Sequence, residues 1–263
     1  MYIEPPINYM GSKFKLLPEL LPFFPSKDVF LDMFTGGGSI YCNVNNLYRK
    51  VIANDILREL IIIHKHLIKH DRIFIEKAKE YSIPTKNNKE AYLALRDKYN
   101  ETKDPVILLA LIWSCNSNMM RFNQQGEFNQ THGRRCFNRN TQKKVDSFFS
   151  KSYNNVILVS SHFFDIQKHI TSDFFVYLDP PYSNTEAGYN AIWTKKDEEL
   201  LVEMIDNFLN QNIKFGLSGV LNEKENKVFE YFKNKATVHF FGDMYQKISK
   251  KKRTNKEYYI TNI

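Results

Sequence analysis

Val29-Phe30-Leu31-Asp32-Met33-Phe34-Thr35-Gly36-Gly37-Gly38-Ser39 reads as a short buried strand running into a glycine turn, and Ile40 to Tyr48 reads as the helix that follows. Glycine at such a turn admits positive φ and lets a ligand approach the backbone. That suits a nucleotide-like cofactor at the carboxyl end of a strand. A dinucleotide fingerprint would need a third glycine three residues beyond Gly38, where the chain has Tyr41. Downstream, Lys50-Val51-Ile52-Ala53-Asn54-Asp55 reads as the next strand and ends in an acid. Asp55 is placed to accept both ribose hydroxyls of an adenosine moiety.

Beyond Asp55 the pattern turns helical: Leu57 to Lys69, Arg72 to Glu80, Lys86 to Asn100 and Asp104 to Cys115, the last opened by Asp104-Pro105. Asn155 to Ser160 and Phe174 to Leu178 then read as strands, Lys195 to Leu209 as a helix and Ile213 to Leu217 as a further strand. Strands alternating with helices argue for an α/β sheet. Residues 1–55 and 153–263 are therefore expected to share one sheet as a cofactor-binding domain, with 56–152 inserted between them.

A second stretch carries chemistry. Phe174-Phe175-Val176-Tyr177-Leu178 leads into Asp179-Pro180-Pro181-Tyr182. Two prolines donate no backbone hydrogen bond and cannot continue into a helix, so the chain leaves the sheet extended, with its carbonyls free. Those carbonyls and the Asp179 carboxylate are acceptors for an exocyclic NH2, and Tyr182 offers a flat face for a base. Hydrogen bonds from an adenine N6 to Asp179 and the Pro180 carbonyl would favour a more tetrahedral nitrogen, able to attack a sulfonium methyl. No strong base is needed beforehand, since the proton becomes acidic only after the methyl has arrived.

The glycine turn, the acid-ended strand and Asp-Pro-Pro-Tyr, in that order around a long insertion, resemble the Dam-like group of S-adenosylmethionine-dependent adenine-N6 DNA methyltransferases. The resemblance extends over nearly the whole chain and is nearest to the Dam enzymes of T-even-like phages. It includes Tyr9-Met10-Gly11-Ser12-Lys13, Asn118-Met119-Met120-Arg121-Phe122-Asn123, Gly126-Glu127-Phe128-Asn129, Gly133-Arg134-Arg135, Tyr189-Asn190 and Trp193. It implies a Rossmann-like methyltransferase fold, with residues 56–152 as a helical target-recognition domain carrying a β-hairpin. It implies S-adenosyl-L-methionine as cofactor, held by Tyr9, Lys13, Phe34, Gly36, Gly38, Asp55, Phe163 and Asp179. Asp179, Pro180, Pro181 and Tyr182 would be catalytic. Asn118, Met119, Arg121, Asn123, Arg134, Arg135 and Tyr189 would meet double-stranded DNA at the palindrome GATC, with the adenine flipped out of the stack. Arg121 is the candidate for bidentate reading of guanine. The chain departs from many relatives at Thr131-His132, where they place Pro-Phe before the hairpin glycine. By residue type alone, Lys13 reads as a solvated lysine at a helix start.

Composition agrees. A formal charge of +8 favours a polyanionic partner. Arg121 to Lys151 holds seven Lys or Arg against two acids, interleaved with Phe122, Phe128 and Phe137. Lys247 to Lys256 adds six basic residues that could meet phosphates. Cys42, Cys115 and Cys136 make neither a metal pattern nor a disulfide framework, so no metal is expected. His132 and His162 read as packing residues. The longest apolar run, Val106 to Trp113, is too short to span a bilayer, and a cytoplasmic setting without membrane or obligate protein partner is expected. A restriction endonuclease, if paired with it, would be a separate protein.

Three alternatives compete. Protein-glutamine-N5 methyltransferases use a related Pro-Pro-Tyr segment, but begin it with Asn and lack a helical insertion with a basic hairpin. Cytosine-C5 chemistry needs a Pro-Cys nucleophile that the chain lacks. A DNA-binding protein on an inactive methyltransferase fold would have little reason to keep Asp55 and Asp179 to Tyr182 intact.

Overall fold

The computed structural model describes residues 2–181, 193–221, 226–241 and 256–263. After a 3₁₀ turn at Lys13–Leu16 come α1 (Leu17–Leu20), β1 (Val29–Asp32), α2 (Tyr41–Val44) and β2 (Lys50–Asn54). Five helices follow: α3 (Arg58–Ile68), α4 (Arg72–Ser82), α5 (Lys89–Thr102), α6 (Pro105–Ser114) and α7 (Arg139–Phe149). The chain then returns through β3 (Val156–Val159), α8 (Phe163–Ile166), β4 (Phe174–Leu178), α9 (Lys195–Asn210), β5 (Lys214–Leu221), α10 (Lys227–Phe232), β6 (Thr237–Phe241) and β7 (Lys256–Thr261).

The helices start where short polar side chains can cap them. Asp71, Asn88, Asp104 and Asn138 each accept a hydrogen bond from the first turn of α4, α5, α6 and α7, and Pro105 occupies the first position of α6, where no N–H is missed. Thr194 and Asp197 form a reciprocal capping box on α9. Helix α6 is buried from Ile107 to Ser114, which is why its sequence shows no polar face.

The seven strands form one sheet in the order β3-β2-β1-β4-β5-β7-β6, with β1 to β5 parallel and β7 antiparallel between β5 and β6. This is a Rossmann-like α/β fold, as the sequence leads one to expect. Alternation along the strands divides the core into two layers. Phe30, Phe175, Tyr177 and Tyr259 face the layer that also holds the buried residues of α3 to α7, while Leu31, Val176, Leu178 and Ile260 face α9 and α10. Among the described residues, no helix is long and apolar enough to cross a membrane.

Three differences from the sequence reading stand out. The helix expected over Ile40 to Tyr48 is only Tyr41–Val44, because the Asn155 amide takes the carbonyls of Asn45 and Tyr48 at 2.6 and 2.9 Å and turns the chain toward β2. The basic stretch after the hairpin contains α7, whose Val145 and Phe148 are buried, so part of its charge lies on an amphipathic helix. The antiparallel pair β6 and β7 was not anticipated at all.

Candidate active site

The carboxyl ends of β1, β2 and β4 meet at one edge of the sheet. Gly36 and Gly38 take positive φ of 50° and 85°, so the turn after β1 folds back tightly. The Tyr9 ring lies against it: a Cβ at Gly36 would come within 2.8 Å of that ring. The Asp55 carboxylate braces the turn, accepting the Gly36 N–H and the Leu57 N–H at 2.9 Å each. Burial raises the Asp55 carboxyl above its ordinary range, against those backbone donors.

Lys13 is the unexpected member. Its ammonium is 2 % exposed and pairs with Asp179 Oδ2 at 2.7 Å, while also donating to the Gly11 carbonyl at 2.8 Å. It is no solvated lysine: it carries its charge into the site, and Asp179 answers it. Pro180 is buried and Pro181 half-buried behind that pair. Asp32, at the end of β1, is 1 % exposed, and its Oδ2 has no hydrogen-bond partner among the described residues. Burial, and then the neighbouring Asp179 and Asp55, push its carboxyl well up. Three carboxyl groups thus converge beside a glycine turn.

An aromatic wall completes the edge. Phe34 and Phe163 lie with ring centroids 5.5 Å apart, and Trp193 packs on both at 5.8 and 5.5 Å. Asn54 fixes the loops that carry them, donating to the Met33 and Ser161 carbonyls and accepting from the Ser161 N–H. His162 caps α8 and reaches Asp197 at 3.0 Å, so it is a structural residue here. Tyr182 and Tyr189 lie outside the described residues, as does the basic run apart from Lys256. The structure therefore gathers Tyr9, Lys13, Phe34, Gly36, Gly38, Asp55, Phe163 and Asp179 at one edge.

The hairpin follows α6. Phe122 and Phe128 pair as an antiparallel bridge, and the Asn123 side chain builds the turn by accepting the Gln125 and Glu127 N–H groups. Asn118 spends its amide donors on the Ile112 and Trp113 carbonyls at the end of α6. Arg121 is exposed and leans on Asn129, its Nε donating to Oδ1 at 2.9 Å. Arg134 and Arg135 are exposed, and Met119 is half-buried. His132 joins the scaffold through Thr85 O at 2.8 Å and the Tyr92 ring.

Sequence reasoning missed His64. Its Nε2 lies 2.8 Å from Gly36 O and its Nδ1 3.0 Å from the Tyr41 hydroxyl. A carbonyl only accepts, so Nε2 carries the proton and Nδ1 accepts from Tyr41. The signal was there: His64 interrupts the apolar stripe of Leu60, Ile61, Ile63 and Leu67, and a buried polar side chain needs partners. Burial lowers this imidazole from 6.5 to about 4. The unfolded chain therefore binds a proton near pH 6.5 that the folded one refuses, and stability is lost as pH falls from there toward 4. Between pH 8 and 5 the wild type should lose about 2 kcal/mol more than His64→Gln in urea unfolding. Asp32 and Asp55, whose raised values act in the opposite sense, cancel in that comparison.

Comparison with known proteins bears on what such a site does. Residues 9–260 match the family described as D12 class N6 adenine-specific DNA methyltransferase. The chain is 34% identical over 267 residues to the type II methyltransferase M.FokI of Planomicrobium okeanokoites and 32% identical over 286 residues to the modification methylase StsI of Streptococcus sanguinis. These alignments cover 94% and 99% of the chain, which spans 41% and 43% of the two relatives. It is 27% identical to the DNA adenine methylase of Serratia marcescens, over 70% of this chain and 68% of that one.

Proposed function

Because the chain belongs to the D12 class of N6 adenine-specific DNA methyltransferases, we propose that it methylates adenine N6 within GATC in duplex DNA, with S-adenosylmethionine as donor and the target base extruded from the stack. The observation that carries this reading is the buried Lys13–Asp179 pair at the head of Asp-Pro-Pro, facing the glycine turn. The donor fits the residues present. A tight glycine turn at the end of β1, the Asp55 carboxylate, an Asp32 oxygen without a hydrogen-bond partner among the described residues and the Phe34–Phe163 pair suit a cationic adenosyl group. When bound, that molecule supplies an electrophilic methyl on a sulfonium centre.

The chain's own groups do the rest. Lys13 donates to Asp179 Oδ2 and orients that carboxylate, which would accept one N6–H while the Pro180 carbonyl accepts the other. Drawing density along those bonds localises the nitrogen lone pair. The proton that becomes acidic after transfer is taken up on the Asp179 side. Tyr182 would stack on the extruded ring, at a cost of a few kcal/mol for extrusion. Residues 56–152 serve as the target-recognition domain, and Arg121, Arg134 and Arg135 present exposed guanidinium groups to the DNA. At the departure from many relatives, His132 is committed to Thr85 and Tyr92, while Thr131 is exposed.

The test is methyl transfer to unmethylated plasmid, with nucleoside mass spectrometry and sequencing to locate each modified base. N6-methyladenine confined to GATC is the expected result. N6-methyladenine in another sequence would overturn the target, and no methylated base would overturn the activity. Arg121→Ala should cost about 1–3 kcal/mol of discrimination at one position of the site. Equal weakening on cognate and mismatched duplexes would reduce Arg121 to a phosphate contact.

A further inference from the structure

Glu257 is the second residue of β7, and because that strand runs antiparallel its first residues lie at the same edge as the carboxyl ends of β4 and β5. Alternation puts its side chain on the face of Tyr259, Ser218 and Tyr177, the face from which Lys13 enters. It is 7 % exposed, and among the described residues its Oε2 has no hydrogen-bond partner. The residues paired with it across β5 and β6, Val220 and Phe241, carry no charge. A buried carboxyl oxygen without a partner is costly, so one that persists beside a reaction site points to a partner gained during the reaction.

Lys13, the buried cation paired with Asp179 just beyond β4 on that face, is the candidate for that partner. Burial raises its carboxyl, Lys13 pulls it down and Asp179 pushes it up again. In the resting arrangement the Lys13 ammonium is satisfied by Asp179, and Glu257 feels both. An incoming amine changes this balance, because Asp179 must then serve a further donor with the same negative charge.

We propose that Glu257 is a positioning residue for methyl transfer: its carboxylate takes the charge of the Lys13 ammonium when Asp179 turns to the substrate amine. This rests on the adenine-N6 reading above and assigns to its site a residue that never touches the base. Burial and the Asp179 charge raise the Glu257 carboxyl, so engaging that charge with the substrate amine favours the ionised form, any proton shed passing to solvent. Losing that carboxylate leaves Asp179 tied to Lys13.

Glu257→Gln keeps the shape of the side chain and removes its charge. Expected are a kcat at least tenfold lower, KM and calorimetric Kd for S-adenosylmethionine within twofold of wild type, and loss of one group from the acidic limb of the kcat profile. In wild-type protein, the 13C resonance of the Glu257 carboxyl should move toward its ionised position on adding S-adenosylhomocysteine with a duplex containing the target adenine. A duplex lacking that adenine should not move it. A kcat within twofold of wild type, or a resonance indifferent to the target adenine, would overturn the proposal. The resonance decides the matter even if the variant fails to fold. Absence of methyl transfer by wild-type protein would overturn the adenine-N6 reading instead.

Discussion

Asp179→Asn is expected to lower methyl-transfer turnover by two to three orders of magnitude, about 3–4 kcal/mol of transition-state stabilisation. The effect exceeds the loss of one acceptor. Lys13 can only donate, so it will hold the new amide by its oxygen and turn the NH2 toward the substrate amine, donor against donor. Single-turnover methyl transfer to a short duplex measures this, with cofactor affinity by calorimetry as the control for folding. Turnover within tenfold of wild type would show that Asp179 does not hold the reacting amine.

Gly38→Ala should be the most damaging of the glycine substitutions at the site. The residue has φ of 85°, and an added Cβ would meet Tyr41 Cε1 at 2.6 Å and His64 Cε1 at 2.8 Å, both on buried, hydrogen-bonded rings. Strain of about 1–2 kcal/mol for the left-handed backbone adds to about 1–3 kcal/mol for overpacking. At about 2–4 °C per kcal/mol for a chain of this size, the melting temperature should fall on the order of 10 °C. Gly126→Ala is the matched control, since it has φ of 74° but nothing within 4 Å of an added Cβ. It should cost only the backbone strain. Equal losses in the two variants would mean that the His64 and Tyr41 contacts contribute nothing.

The contrast between these glycines shows what could be read from sequence and what could not. The strand, turn and acid at Val29 to Asp55 were legible because burial on both faces leaves a continuous apolar run and tight turns demand glycine. The helices of the insertion were legible because their caps and stripes are local. Lys13 was legible only through family resemblance, since nothing local distinguishes a lysine that will be paired 166 residues away from one in water. Glu257 escaped for the same reason. Its neighbours in space come from β4, β5 and the amino-terminal segment, and the antiparallel β7 that brings it there was itself unread. The short α2 escaped because the Asn155 side chain that ends it arrives from beyond the insertion.

The order of the strands also bears on how the chain is made. β1 is flanked by β2, which follows at once, and by β4, whose Phe174 pairs with Val29 only after the five helices have been synthesised. Until then one edge of the central strand lacks its neighbour, and closing so long a loop is slow. Helix α6, buried on every side in the finished protein, must meanwhile find cover from α4 and α5. The insertion thus has a task during synthesis: it must condense early enough to keep its own apolar centre, and the waiting edge of β1, from pairing with another nascent chain.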